Sequence, residues 1–240
     1  MKKKNTILKY ASIVCVISGA IVLVAKFGGP QFLRLYVRMT IGDCKKIAIF
    51  CMAPDSEVIN PGMDTQYARR LSRHRLTNLK ISLPRGFSVT QEEIKNKVDY
   101  KRTHRKSSSE AVYVARKGPD FFTGLFPQLK ARGVEDDREF IRRVMYARLE
   151  QIQNITDAFF VIMKGIFIPD LGRQEGIKMV KFSIDDKTGF VSYNLTASGN
   201  FFDCNAVNRQ GIFLKIYIKD KDKTLDLDKF MAIISTVEID

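Results

Sequence analysis

The side chains able to perform acid–base chemistry are few and scattered along this 240-residue sequence. The two histidines, His74 and His104, both lie in basic stretches, where neighbouring positive charge disfavours the imidazolium form. Neither has a carboxylate and a nucleophile at a recognisable catalytic spacing. The motifs GxSxG, HExxH, GxGxxG and CxxC and the phosphate-binding loop are all missing from the sequence. We therefore predict no catalytic residue, no cofactor and no bound metal.

Carboxylates offer the remaining route to catalysis. Asp157, Asp170, Asp185 and Asp203 are spread over the second half of the chain. They would serve a membrane-tethered hydrolase or transferase only if the fold brought them into one cleft and perturbed their pKa values. This enzyme hypothesis stays open as the alternative to a non-catalytic role.

Positive charge is concentrated in the first half of the chain. Residues 1–117 contain 23 Lys and Arg against 8 Asp and Glu, whereas residues 118–240 contain 17 against 18. The densest segments, 69–80 and 101–110, should attract anionic polymers or lipid headgroups. The residues that we predict to contact anions or headgroups are Arg69, Arg70, Arg73, Arg75, Lys80, Lys101, Arg102 and Arg105.

The composition of these basic segments favours a surface adapted to a negative bilayer over nucleic-acid binding. Few aromatic residues interleave with the arginines, so the stacking platform that binds single strands is missing. The sequence also contains no zinc-finger pattern and no RNP-like string. Nucleic-acid binding through residues 69–80 is kept as a weaker alternative.

An apolar segment near the N terminus predicts membrane attachment. The uncharged stretch Tyr10–Ala25 is close to the lower limit of about 17 residues for a spanning helix, and a lysine flanks each end. We predict a basic tail over 1–9, a transmembrane signal-anchor over 10–26 and a juxtamembrane linker over 27–43. Cleavage after Ala25 stays open, because the site is poorly marked.

The remainder is long enough for one domain, predicted over 44–240 with a basic membrane-proximal part over 44–117. If the N-terminal tail stays inside, this domain lies on the periplasmic or extracytoplasmic side of the inner membrane. A strand over "KKIAIFCM" would place Cys44 and Cys51 on opposite faces, where they cannot bridge to each other without a turn. Buried free thiols are favoured, and a bond from either cysteine to Cys204 stays open.

The elements that must position these residues are of mixed type. Apolar spacing predicts a helix within residues 134–152 and a closing helix capped by Asp226. A short basic helix capped by Asp64 is predicted to run through Arg73, and another short helix is predicted after Thr90. The predicted strands are "KKIAIFCM", "LKISLPRGFSV", "EAVYVARK", "DAFFVIMKGIFIP", "IKMVKFSI", "FVSYNLTA", "NFFDCNAV" and "GIFLKIYIKD".

The predicted fold class is therefore α+β. An N-terminal transmembrane helix is followed by one mainly antiparallel sheet domain covered by two or three helices. The last four predicted strands pair as two hairpins, the first of which turns at "DDKTG" with glycine in the left-handed position.

The order of these elements resembles that of PsbP-like α/β domains. The resemblance covers residues 78–240 and depends on "ISLPRGFSV", the central strand pairs, and "GIFLKIYIKD" followed by the helix "LDLDKFMAIISTVEI". Phe87 stands where the family commonly carries Trp. The resemblance implies a sheet covered by helices and an accessory or binding role without an active site.

The sequence thus favours a bacterial single-pass envelope protein that acts as a non-catalytic binding or accessory module. Its predicted partners are the membrane, anionic lipid headgroups and an unidentified protein.

Overall fold

The computed structural model of this chain describes residues 29–42, 44, 47–59, 63–76, 79–93, 97–103, 109–168 and 176–239. Its α-helices are α1 (Pro30–Ile41), α2 (Thr65–Ala68), α3 (Phe121–Leu125), α4 (Asp137–Tyr146), α5 (Ile155–Phe167) and α6 (Leu227–Ser235). Short 3-10 helices span Ala48–Cys51, Pro127–Arg132 and Leu149–Gln151. The strands are β1 (Ser56–Ile59), β2 (Ser72–Leu76), β3 (Leu79–Leu83), β4 (Phe87–Glu93), β5 (Lys97–Thr103), β6 (Ser109–Lys117), β7 (Lys178–Ile184), β8 (Lys187–Thr196), β9 (Gly199–Asn208), β10 (Phe213–Asp220) and β11 (Glu238–Ile239).

The described strands form two sheets. The large sheet has eight strands in the order β1-β7-β8-β9-β10-β6-β5-β4. Adjacent strands in this sheet are antiparallel, except that β1 runs parallel to β7. The small sheet has three antiparallel strands in the order β11-β3-β2.

Both faces of the large sheet are covered. Phe190 and Phe201 belong to a core on one face, which α1, α4 and α5 complete. Their neighbours Val191 and Phe202 belong to a second core, which α6 and the small sheet complete. Because successive residues of a strand face opposite sides, every position of β9 is buried. The chain is therefore built in three layers around the large sheet.

The fold class predicted from the sequence is corrected by this structure. Within the described ranges, no helix is long and apolar enough to cross a membrane, so the transmembrane part of the prediction and the single-pass anchor are not supported. The segment 10–26, on which that prediction falls, lies outside the described residues. The single sheet is also wrong, because the second face of the large sheet is covered partly by another sheet.

Helix α1 lies within the segment 27–43 that was predicted to be a linker. Pro30 stands in its first turn, where the missing N–H costs no helical hydrogen bond. Leu33 and Val37 are buried against the first core, and the Arg34 guanidinium donates to the Ile152 carbonyl at 3.0 Å. The helix is therefore packed on the domain.

The predicted strand "KKIAIFCM" is wrong. The segment Ala48–Cys51 is a 3-10 helix, which buries Ile49 and Phe50 and brings Cys51 back towards Cys44. The two Cα atoms are 5.6 Å apart and the cysteines form a disulfide. An extended strand would have kept the two cysteines apart, and the turn of the 3-10 helix brings them together.

The predicted strand "DAFFVIMKGIFIP" is also wrong, because this segment forms α5. Asn154 accepts a hydrogen bond from the Asp157 backbone N–H at 3.0 Å, and the Asp157 carboxylate accepts one from the Asn154 backbone N–H at 3.2 Å. This reciprocal capping box fixes the start of a helix. The long apolar run suits a buried strand as well as a helix, and the structure buries Phe160, Lys164 and Phe167 at helical spacing.

The short helix predicted after Thr90 is a third error, since β4 continues to Glu93 and β5 begins at Lys97. The loop "DSEVINPGMD" likewise contains a strand, β1.

The predicted closing helix is confirmed, and the predicted amphipathic helix is confirmed over Asp137–Tyr146, after which Leu149 lies in a separate 3-10 helix. Asp136 caps α4 by accepting from the Glu139 N–H at 2.7 Å, and Asp226 caps α6 by accepting from the Lys229 N–H at 2.9 Å. The predicted apolar stripe of the first helix is buried throughout: Phe140, Ile141, Val144, Met145, Leu149 and Ile152.

Both predicted hairpins are confirmed as β7–β8 and β9–β10. The turn of the first differs in one detail. Asp185, and not a glycine, adopts the left-handed conformation there, with φ of 52°. Aspartate is among the few non-glycine residues that tolerate this region.

Candidate anion-binding surface

The small sheet presents its basic residues on one face. In β3, Leu79, Ile81 and Leu83 are buried against α6, and the residues between them are half-buried. The same alternation in β2 leaves Arg73 and Arg75 exposed. The sheet therefore has an apolar inner face and a basic outer face.

The register of the three strands gathers charge on the outer face. Arg75 pairs with Lys80 across β2 and β3, and Lys80 pairs with Glu238 across β3 and β11. The Glu238 carboxylate lies 2.5 Å from an Arg73 guanidinium nitrogen and 3.7 Å from Lys80 Nζ. The Glu238 carboxylate thus pairs with two cations, and Arg75 is a third cation on the same face of the sheet.

Two further arginines precede β2. Asp64 caps α2 by accepting from the Tyr67 N–H at 2.7 Å, which confirms the predicted cap. The predicted extent of the helix through Arg73 is wrong: the helix ends at Ala68, the turn that follows exposes Arg69 and Arg70, and Arg73 lies in β2, which pairs with β3. We define the basic face as Arg69, Arg70, Arg73, Arg75 and Lys80.

His74 faces inward from β2, between the two exposed arginines. Burial lowers the pKa of His74, since a desolvated imidazole resists protonation. The sequence predicted the same direction from neighbouring positive charge, whereas the cause in the structure is burial. His74 therefore adds no charge to the basic face at neutral pH.

The remaining predicted contact residues do not belong to this sheet. Lys101 and Arg102 lie in β5 of the large sheet. Arg105 and His104 lie outside the described residues. The structure therefore unites the first basic segment and places the described part of the second in another sheet.

The carboxylates considered for catalysis have separate structural roles. Asp157 completes the capping box of α5, and Asp185 is exposed in the β7–β8 turn. Asp170 lies outside the described residues. Asp203 is buried in the large sheet, where Lys215 Nζ lies 2.9 and 3.0 Å from its two oxygens. These three described carboxylates belong to different elements and make different contacts.

The ion pair of Asp203 is part of a buried polar cluster that the sequence did not reveal. Asn205 Nδ2 donates to Asp203 at 2.8 Å, and Lys215 Nζ also donates to the Phe167 carbonyl at the end of α5. Ser192 lies opposite Asp203 in the register, and its buried hydroxyl makes no hydrogen bond within the described ranges. A carboxylate held by an ammonium group is a poor base for that hydroxyl. The cluster therefore favours a structural role.

Lys164 is a second buried cation that was missed. Its Nζ donates to the Met52 carbonyl at 2.6 Å and to the Ala147 carbonyl at 2.9 Å. Burial, with a smaller contribution from the nearby Arg148 charge, lowers the pKa of Lys164 to about 7. The lysine connects α5 to two loops, and no sequence signal separates it from a surface lysine.

Comparisons with known proteins leave the family open. No protein-family model matches this chain, and no curated protein matches it. Among solved structures it is similar to a protein from Bacteroides thetaiotaomicron VPI-5482, with 7% identity and a TM-score of 0.34. That match covers 68% of this chain and 45% of the other, so this chain spans less than half the length of that protein. A likeness of this size supports no conclusion about fold or function. The resemblance to PsbP-like domains stays a prediction.

Proposed function

We propose that this chain is a non-catalytic binding module that recognises phosphate groups of an anionic partner through its basic face. The observation that carries the proposal is the outer face of the small sheet, where Arg73, Arg75 and Lys80 lie together and the Glu238 carboxylate pairs with Arg73 and Lys80. Arg69 and Arg70 are exposed in the turn that leads into β2 and add to the positive charge of this segment.

Arginine chemistry favours phosphate as the group that is bound. A guanidinium group offers a planar set of donors that matches two phosphate oxygens at once. Four of the five cations are arginines, and all four are exposed. The field of the cluster would also steer a polyanion towards it, and this attraction would weaken with added salt.

The contacts of the described carboxylates favour binding over catalysis. Asp203 is occupied by Lys215 and Asn205, while Asp157 serves the helix cap. The disulfide between Cys44 and Cys51 is typical of oxidising compartments, which supports an extracytoplasmic location for the domain.

The test compares two double variants that remove the same charge. Arg69→Gln/Arg70→Gln changes the basic face, whereas Lys130→Gln/Arg132→Gln changes exposed cations elsewhere. Binding is measured to vesicles containing phosphatidylglycerol and, separately, to a duplex DNA of about 20 base pairs, each at 50 and 200 mM salt. We expect the first variant to bind the preferred ligand about tenfold more weakly and with a smaller salt dependence.

The control variant should bind as the unchanged chain does. Equal losses in the two variants would show that only net charge matters, and they would overturn the assignment of the basic face. Absence of binding to both ligands at 50 mM salt would overturn phosphate recognition. A preference for vesicles or for DNA identifies the source of the phosphate.

A further inference from the structure

The disulfide of Cys44 and Cys51 has a carboxylate beside it. The side chain of Glu150 is exposed at the 3-10 helix Leu149–Gln151, and both cysteines are half-buried. The two sulfur atoms and a Glu150 carboxylate oxygen all lie within 4.8 Å of one another. Three side chains able to bind a metal ion thus meet at one place on the surface of the first core.

The spacing suits a tetrahedral Zn²⁺ ion once the disulfide is reduced. Zinc binds thiolate sulfur at about 2.3 Å and carboxylate oxygen at about 2.0–2.2 Å, so neighbouring ligand atoms lie about 3.5–3.8 Å apart. The Cα atoms of the cysteines are 5.6 Å apart, which lets the sulfurs separate to this distance by side-chain rotation. The fourth position would hold water.

Two of the three ligands, Cys51 and Glu150, lie in 3-10 helices that are packed on the first core. Ile49 and Phe50, which precede Cys51, are buried in the first core, and Leu149, which precedes Glu150, is fully buried there. On the other side of Cys51, the Met52 carbonyl accepts the Lys164 hydrogen bond. Cys51 and Glu150 therefore keep their places whether or not the disulfide is closed.

We propose that reduction converts this disulfide into a zinc site formed by Cys44, Cys51 and Glu150. A dithiol reductant gives up two electrons and two protons, the sulfur–sulfur bond breaks, two thiols form, and the reductant becomes a disulfide. Zn²⁺ then displaces the two thiol protons to solvent and binds both thiolates and the Glu150 carboxylate. A small-molecule disulfide reverses the step: it accepts two electrons from the thiolates and two protons from solvent, its own sulfur–sulfur bond breaks to give two thiols, the Cys44–Cys51 bond re-forms and Zn²⁺ is released. Zinc occupancy therefore reports the redox state.

The test uses the full chain with Cys15→Ser, so that Cys15 does not bind metal. Burial raises the pKa of the Cys204 thiol, which stays inside the second core and does not compete. Zn²⁺ binding is measured by calorimetry before and after reduction with a phosphine, which water converts to the phosphine oxide as the disulfide is cleaved. Co²⁺ serves as a spectroscopic probe of thiolate ligation. We expect one Zn²⁺ per reduced chain and none per oxidised chain.

Two variants separate metal binding from folding. Glu150→Gln should lower the Zn²⁺ affinity of the reduced chain about tenfold and leave the thiolate-to-cobalt absorption in place. Glu135→Gln, which changes another exposed glutamate, should have no effect. Cys44→Ser/Cys51→Ser, checked for native circular dichroism, should abolish binding. Equal Zn²⁺ affinity in the reduced chain and in the double serine variant would overturn the proposal, as would an unchanged affinity in Glu150→Gln.

Discussion

At the residue scale, Lys164 shows how a buried cation couples stability to pH. The amine is fully buried and donates hydrogen bonds to two backbone carbonyls. Among the described contacts it forms no ion pair with a carboxylate. With a pKa of about 7 in the folded chain, it is largely neutral above that pH while the unfolded lysine stays charged up to about pH 10.4. Below pH 7 both states carry the proton, so the cost of burial is then greatest.

The first prediction concerns this linkage. Between pH 7 and 10 the unfolded chain binds one more proton at Lys164 than the folded chain, so the free energy of unfolding rises with pH by up to about 1.4 kcal/mol per unit. Lys164→Met removes this contribution. Urea unfolding at pH 7.5 and 9.5 should show the gain in the unchanged chain relative to the variant. The prediction would be contradicted if the free energy of unfolding changed equally with pH in the unchanged chain and in Lys164→Met.

The second prediction concerns the buried ion pair. Asp203→Asn leaves the Lys215 ammonium without its counter-charge and should destabilise the fold by about 3–5 kcal/mol. Adding Lys215→Met should recover a large part of that loss, because no unpaired charge then remains buried. Chemical denaturation of both variants measures the difference. Equal stability of the single and double variants would show that the pair does not act as a unit.

At the element scale, α5 packs in the first core. Gly165 of this helix determines how closely the 3-10 helix Ala48–Cys51 can approach it. A Cβ atom placed on Gly165 would lie 2.8 Å from the Phe50 ring of the 3-10 helix Ala48–Cys51. Glycine is unfavourable within a helix, by about 1 kcal/mol relative to alanine. Its presence in α5 therefore follows from contact between elements.

The third prediction tests this contact. Gly165→Ala should lower the thermal midpoint despite the better helix propensity of alanine, because the buried Phe50 ring has no room to move away. Gly165→Ala/Phe50→Leu should be less destabilised than the sum of its two single variants. Scanning calorimetry of the three variants gives this coupling. If the changes in thermal midpoint are additive, the loss of stability in Gly165→Ala does not come from its contact with Phe50.

At the scale of the whole molecule, the large sheet lies between two cores and joins them. Met145 is buried in the first core and Ile216 in the second. Every residue of β9 is buried, and its side chains alternate between the two sides. Loss of one core would expose one face of the same strands, so we expect the cores to unfold together.

The fourth prediction follows from this arrangement. Met145→Ala and Ile216→Ala should each destabilise the chain by about 2–5 kcal/mol and shift one shared unfolding transition. The two variants are compared by far-ultraviolet circular dichroism and by tyrosine fluorescence during urea unfolding. Two separate transitions, each moved by only one of the variants, would show that the cores are independent.

The sequence predicted those elements whose local pattern and tertiary role agree. The stripe of α4, the cap at Asp226 and the two hairpins carry their own periodicity and turn residues, and the structure confirms them. The basic residues of 69–80 were also identified as a cluster. The outer face that Arg73, Arg75 and Lys80 share, with Glu238 beside them, became visible only when β2, β3 and β11 paired, because β11 comes from the far end of the chain.

Composition, the uneven charge and the α+β class were determined by the sequence itself, because they depend on residue types and on spacing between near neighbours. The tertiary structure alone decided that the apolar segment 155–167 is a helix, that Cys44 meets Cys51, and that Asp203 meets Lys215. A short, largely apolar run suits either a buried strand or a buried helix, so packing decided its type. Partners that meet through turns and strand pairing follow from how the layers pack, which spacing along the chain does not encode.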